Sequence, residues 1–428
     1  MRNRTRAGTR VGVRRIFPAA ALVIAACLAT AGSAGAQSGA CPKLSQPWYG
    51  SNAQRIQTVI DARGTCSGLP GGRPLAVFDW DNTIIKNDIS DQTFFWMLRH
   101  DKVRQPAGRD WTTTSTYMTR AGARALRRAC GSLADPGEPL PTSTNTRCAD
   151  ELVSFRTDEE TTGGDPAFAG YDHRRMEGAY IWMSQLMAGR TPETARAWAR
   201  AARKLALARP QGATQKVGSG REVAWVRYYA QQRDLVRTLN AAGFDTWVVS
   251  ASPQEWASVW AQGAGFPAGH TIGIRTVRED GRITTKLKGC GGFADGSNQI
   301  MTYVDGKRCW VNQAILGIQG AAALQPAPEA RRQAIAAGDS DTDVSMVRDA
   351  TGVHIAINRN KAELMCRAYA NQDGRWIVNP MFIDPEPKFA DGYPCSTKGA
   401  IDAEGKEVPV IGDDGVTPIP DQQDTVFG

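Results

Sequence analysis

The stretch AVFDWDNTII, residues 76–85, runs three apolar residues into Asp79 and Asp81, two carboxylates one residue apart. With Arg73-Pro74-Leu75 before it, the apolar part reads as a short strand buried on both faces, the kind found in parallel sheets. A strand of that kind ends in a dry place, where a charge is costly unless it is paired or bound to metal. The two aspartates are therefore either an ordinary strand end or the holders of a cation.

Outward from this stretch the chain alternates between strand and helix. FDTWVVSAS (244–252) reads as a strand and PQEWASVWAQG (253–263) as a helix. TIGIRTV (271–277) is a strand, QAIAAGDS (333–340) a strand, DTDVSMVRDA (341–350) a helix and GVHIAIN (352–358) a strand. Strands alternating with helices predict a parallel sheet. RITTKLKG (282–289) and QIMTYVDGK (299–307) read as a hairpin, with RCWVNQAILGI (308–318) as the next helix.

Between the first two strands lie about 150 residues of another character. Residues 105–175 are turn-rich; from Met176 the pattern is helical, with Thr191-Pro192-Glu193 as a helix start and Gly243 as a helix stop. The predicted fold class is α/β: a Rossmann-like parallel sheet core with an inserted, mainly helical cap and an irregular, disulfide-strapped C-terminal extension. The expected segments are 37–90 (an N-terminal wrap, irregular to residue 72, and the first core strand), 91–234 (the cap), 235–368 (the rest of the core) and 369–428 (the extension).

The chain's start explains much of its net charge of +8. Six arginines (Arg2, Arg4, Arg6, Arg10, Arg14, Arg15) precede an apolar run that ends at Ala34-Gly35-Ala36, and no acidic residue comes before Asp61. This is the pattern of an export signal over residues 1–36. A membrane anchor is the rival reading; the alanine-rich run and the A-x-A site favour cleavage, leaving no transmembrane span. Arg14-Arg15-Ile16-Phe17 matches a twin-arginine signal and Ile24-Ala25-Ala26-Cys27 a lipoprotein box, so the product is secreted or held at the cell envelope through Cys27. Removing six of the eight net charges leaves about +2, with no basic patch for nucleic acid.

Eight cysteines remain, an even number in an exported chain, which predicts disulfides. Pairing each with its neighbour keeps every bridge within one local segment: 41–66, 130–148, 290–309 and 366–395. No C-x-x-C or H-x-x-x-H spacing is present and only four histidines exist, which argues against zinc.

Four polar stretches fall at strand ends or helix starts: Asp79-Trp80-Asp81-Asn82-Thr83, Ser250 at the end of TWVVS, Lys307, and Gly338-Asp339-Ser340-Asp341-Thr342-Asp343. In an open parallel sheet ligands bind at the carboxyl ends of strands. Carboxylates suit Mg²⁺; a hydroxyl, backbone amides and a lysine suit phosphate. Each piece alone has an ordinary explanation, but the ordered set does not.

That set resembles the haloacid dehalogenase superfamily of phosphohydrolases: D-x-D-x-T, a strand ending in Ser or Thr, a Lys, then G-D-x-x-x-D. The resemblance covers residues 74 to about 95 and about 235 to 368, together with the place of the cap. It implies Asp79 as nucleophile and Asp81 as general acid and base. It implies Thr83, Ser250 and Lys307 around the phosphate. Mg²⁺ would be held by Asp79, the backbone carbonyl of Asp81, and Asp339. Asp343 would be a further ligand through water or a partner of Lys307, and Asp341 an added carboxylate. Lys286 and Lys288 are rivals to Lys307, which is preferred because it opens the helix before the last motif strand. The second aspartate, Asp81, favours phosphoryl transfer from an alcohol, whose leaving group needs a proton.

The helices around AGRTPETARAW resemble the cap of the phosphoserine-phosphatase-like branch, whose exported members include bacterial phosphorylcholine phosphatases. The implied substrate is a small phosphate monoester, with phosphorylcholine as the candidate and Trp80, Tyr180, Trp182 and Trp256 as candidate faces for its quaternary ammonium. The competing class is a catalytically inactive phospho-ligand-binding protein of the same fold. The intact set of Asp79, Asp81, Ser250, Lys307 and Asp339 argues against it. Oligomeric state is not legible.

Overall fold

The computed structural model describes residues 40–68, 72–291 and 300–428. The export signal expected over residues 1–36, Cys27 included, lies outside the described residues.

Six short strands make one parallel sheet: β1 (Leu75–Phe78), β2 (Asp245–Pro253), β3 (Thr271–Ile274), β4 (Ile335–Gly338), β5 (Val353–Asn358) and β6 (Trp376–Pro380). Their order is β6-β5-β4-β1-β2-β3, so the winding reverses between β1 and β4. Ala76 faces Ile335 on one side and Thr246 on the other. Both faces of the sheet are covered, which is why its strands read as apolar runs rather than alternating ones. On one face Ala76, Phe78, Ile335 and Ile355 pack with α1 (Asn52–Arg63), α7 (Ala230–Ala241) and α8 (Gln254–Ala261). On the other, Val77, Ala336 and Ala356 pack with α9 (Asp305–Ala314), α10 (Val344–Arg348) and α11 (Ala362–Ala370).

The chain leaves the sheet after β1 and returns at β2. A two-stranded ribbon, Ile85–Lys86 with Arg227–Tyr228, ties the exit to the return. Between them lie α2 (Ile89–Arg99), α3 (Arg120–Cys130), α4 (Thr146–Thr157), α5 (Gly178–Gln185) and α6 (Pro192–Ala208). They surround a separate apolar cluster that includes Phe94, Leu152, Phe155 and Trp182. Asp88 caps α2 through the amides of Ser90 and Asp91, and Thr191 with Pro192 starts α6 as expected. Gly243 stops α7's segment at φ +83°.

Several expectations need correction. Residues 37–72 are not wholly irregular: α1 docks on the sheet edge, where the Asn52 side chain donates to the Val378 carbonyl (2.7 Å). The turn-rich segment 105–175 holds α3 and α4, each capped by its own side chain, Thr119 and Asn145. Among the described residues, 282–289 do not pair with 300–307; Arg282–Leu287 pairs with Thr276–Glu279. The extension is irregular only after it has supplied β6, the sheet's outer strand. The four cysteine pairs are those expected, with Cα–Cα separations of 5.2, 4.9, 6.0 and 5.6 Å. No helix among the described residues is long and apolar enough to cross a membrane.

Candidate active site

The reversal of winding leaves a crevice at the carboxyl ends of β1 and β4, and Asp79 and Asp339 stand there. The four residues of β1 are buried, and the Asp79 amide makes the last ladder bond, to the Ala337 carbonyl (2.9 Å). The chain then turns sharply. Ile84 N–H donates to the Trp80 carbonyl (2.9 Å), and Asn82 takes the left-handed conformation at φ +60°. The turn brings Thr83 back under the crevice, where its hydroxyl donates to Asp339 Oδ1 (2.8 Å).

Lys307 enters from the first turn of α9. Its ammonium lies 2.5 Å from Asp79 Oδ1 and 2.5 Å from Asp343 Oδ1, with no exposed side-chain surface. Two backbone features deliver it. Val304, just before α9, sits at φ +40°, a strained place for a β-branched residue. Gly306 passes so close to the chain that a Cβ would stand 1.8 Å from the Met301 carbonyl oxygen. Asp343 is aimed in the same way. Its Oδ2 accepts from the amides of Asp339 (2.9 Å) and Ser340 (3.0 Å), and Gly338 makes room for it.

Asp79, Asp339 and Asp343 each offer a carboxylate oxygen, all within 4.8 Å of one another and all buried. Burial, then the charges of Asp343 and Asp339, push the Asp79 carboxyl well above the ordinary range, against the pull of Lys307. Burial also raises Asp339, against Arg359. For Lys307, burial works against the ammonium, but Asp343 and Asp79 outweigh it and hold the charge. This donor set is oxygen-only, close-spaced and short of positive charge, so it fits a hard divalent cation.

Asp81 lies apart from that cluster. Its Oδ1 accepts from the Ile89 amide (2.8 Å) at the start of α2, and its Oδ2 from the Ser252 hydroxyl (2.9 Å). Ser90 in turn donates to Ser252 (2.8 Å). Burial and the neighbouring Asp88 and Asp79 raise the Asp81 carboxyl well above its usual value. Ser250 is fully buried on β2, its hydroxyl accepting from the Ser252 amide (3.1 Å) and its carbonyl from Thr302 (2.6 Å). Asp341 accepts from the Leu364 amide (3.0 Å) at α11, and burial raises it to about 7. Lys286 is elsewhere, on the strand Arg282–Leu287 with Glu279 (3.1 Å) on its pairing partner, and Lys288 lines a separate surface groove.

Two residues at the site were not anticipated. Ser252 shares a strand face with Ser250, and the two-residue period of a strand was the available signal. Arg359 follows β5 and sits 2.8 Å from Asp339 Oδ2; its place at a strand's carboxyl end was the clue. The aromatic candidates fare differently. Trp80, Trp182 and Trp256 are completely buried, and Trp80 packs edge-on against Tyr228 and Phe266. The Tyr180 ring is covered by the Arg156 guanidinium at 4.6 Å. The three tryptophans offer no exposed aromatic face, and one face of Tyr180 is taken by Arg156. A cleft of about 260 Å³ beside the site is lined instead by Asn82, Asp88, Asp91, Glu222, Arg359 and Glu386, among others.

The haloacid dehalogenase-like hydrolase family model matches residues 148–348. That is under half of the chain; it takes in Ser250, Lys307 and Asp339 to Asp343 and leaves out Asp79 and Asp81. A structure of a conserved, functionally unknown protein from Anaerococcus prevotii DSM 20548 shares the fold, with TM-score 0.55 and 19% identity over 77% of this chain and 91% of its own. A protein of unknown function from Bordetella pertussis Tohama I matches at TM-score 0.42 and 20% identity, over 73% of this chain and 100% of its own. A phosphoserine phosphohydrolase-like protein from Francisella tularensis subsp. tularensis SCHU S4 matches at TM-score 0.33 and 14% identity, over 71% and 94%. No curated protein matches the chain in sequence.

Proposed function

We propose that this chain is an exported phosphomonoesterase that works through an aspartyl-phosphate, with Asp79 as nucleophile and Asp81 as general acid and base. The observation that carries the reading is the buried arrangement of Lys307 between Asp79 and Asp343, with Asp339 closing the oxygen cluster.

Asp79, Asp339, Asp343 and the carbonyl of Asp81 would hold Mg²⁺, which when bound supplies positive charge to the carboxylates and to the phosphate oxygens. An Asp79 carboxylate oxygen attacks phosphorus while the bond from phosphorus to the ester oxygen breaks. Asp81, whose carboxyl burial raises well above its usual range, gives its proton to that leaving oxygen. A water then loses a proton to Asp81 and attacks phosphorus, freeing phosphate and restoring Asp79. Lys307 steadies the nucleophile and the transferring group, with Thr83 and Ser250 supporting the phosphate side. The insertion over residues 91–234 acts as the cap that shapes the leaving-group end.

The substrate we propose is a small phosphate monoester. Asp88 and Asp91 are paired with Arg156, and Lys86 and Arg359 line the same cleft, so the preference for a cationic leaving group rests on Glu222 and Glu386. Phosphorylcholine stays a candidate on charge rather than on an aromatic cage. Four disulfide pairs support an oxidising compartment. The test is phosphate release with and without Mg²⁺ from phosphorylcholine, phosphoethanolamine and an aryl phosphate. Metal-dependent release that favours the two cationic esters supports both the chemistry and the pocket. Release from the aryl phosphate alone keeps the chemistry and removes the cationic preference. Mg²⁺ binding without release from any of them favours the ligand-binding alternative.

A further inference from the structure

Asp339 has both of its oxygens engaged. Thr83 donates to Oδ1 and Arg359 to Oδ2, each at 2.8 Å. The two partners differ in kind. Thr83 is neutral and buried, whereas Arg359 is a full charge whose side chain is 34% exposed while Asp339 is 1% exposed. Arg359 also lines the cleft beside Asn82, Asp88 and Asp91. The carboxylates of Asp79, Asp339 and Asp343 are thus covered by two cations on different members: Lys307 on Asp79 and Asp343, and Arg359 on Asp339. Lys307 is walled in. Arg359 has open space next to it.

We infer that Arg359 and a divalent cation are alternative partners of Asp339, and that the guanidinium, once displaced into the cleft, is the residue that grips the phosphate of the incoming ester. The inference rests on the phosphatase reading. A divalent ion on Asp339 places a second positive charge against the guanidinium, and like charges on one carboxylate repel. Arg359 can yield because the cleft lies beside it, whereas Lys307 cannot. A planar fork with five donors suits a phosphate better than it suits one carboxylate oxygen. The arrangement couples the two ligands: metal binding costs the Asp339–Arg359 pair, and the freed guanidinium meets the substrate's charge.

The experiment measures Mg²⁺ affinity by calorimetry on substrate-free protein, and KM at saturating Mg²⁺, for wild type, Arg359→Gln and Arg359→Lys. Removing the competitor should tighten Mg²⁺ binding, by about tenfold, whereas losing a partner that merely orients a metal ligand weakens metal affinity by about 10–100-fold. The KM of Arg359→Gln should rise by a similar factor, and Arg359→Lys should recover part of it. A melting curve near wild type excludes misfolding as the cause. Unchanged or weaker Mg²⁺ binding in Arg359→Gln overturns the competition, and an unchanged KM overturns the grip on phosphate. Failure of the phosphatase reading looks different: wild type and variants alike bind no Mg²⁺ or release no phosphate.

Discussion

Lys307 is itself fully buried and holds two carboxylates, Asp343 with no exposed side-chain surface and Asp79 with only 8%. Removing one partner of a buried ion pair leaves the other charge uncompensated, at about 3–5 kcal/mol. Lys307→Met should therefore lower unfolding free energy by that amount in urea titration, as well as ending turnover. A loss under about 1 kcal/mol would mean that the lysine is not the charge that lets Asp79 and Asp343 stay buried. Ser252 sets a finer property. Its hydroxyl donates to Asp81 and so favours the carboxylate. Without it the Asp81 carboxyl, already raised by burial, should rise further. In Ser252→Ala the pH at which the base form of Asp81 appears, read from the kcat profile, should move upward. An unmoved profile would separate Ser252 from the proton transfer.

At the scale of elements, the delivery of Lys307 depends on how closely α9 approaches the segment before it. A Cβ at 306 would meet the Met301 carbonyl oxygen at 1.8 Å, so Gly306→Ala must displace the start of the helix. A misplacement of about 1 Å can cost about a hundredfold in rate, and kcat/KM of Gly306→Ala should fall by that order. Wild-type kinetics would show that α9 is not the positioning element. This segment was also where sequence reading failed. Ile300 to Val304 is rich in β-branched and aromatic residues, as a strand would be, and a hairpin partner lay close by. The amides of Met301 and Asp305 instead donate to the carbonyls of Arg175 and Arg174 (2.9 Å each). That partnership joins residues more than 120 apart in sequence, and local periodicity has no access to it. Helices α3 and α4 were hidden differently. Turn residues crowd around them, and only their caps, Thr119 and Asn145, marked where they begin.

The parallel sheet was legible as a whole because its strands are buried on both faces, and a continuous apolar run is what such burial demands. Strand order was not legible, since it depends on which sheet edge each connection takes. β6 escaped notice because it is an outer strand that ends on Pro380, where a missing N–H is tolerated. The carboxylate cluster makes the molecule's stability depend on pH in a particular sense. Asp79, Asp81 and Asp339 all have raised folded-state values, so the folded protein keeps protons that the unfolded chain releases above about pH 4. Metal-free protein should therefore lose stability as pH rises from that point, and Mg²⁺ should flatten or reverse the slope. Melting curves between pH 4 and 8 with and without Mg²⁺ check this, and identical slopes would place the metal elsewhere.

The central claim is that Asp79 attacks phosphorus, and the most direct measurement is phosphate release by wild type and Asp79→Asn at saturating Mg²⁺, with melting curves for both. We expect wild-type release to depend on Mg²⁺ and the variant to lose at least about a thousandfold in kcat, while melting shows that it is folded. Substantial turnover by a folded Asp79→Asn would contradict the account.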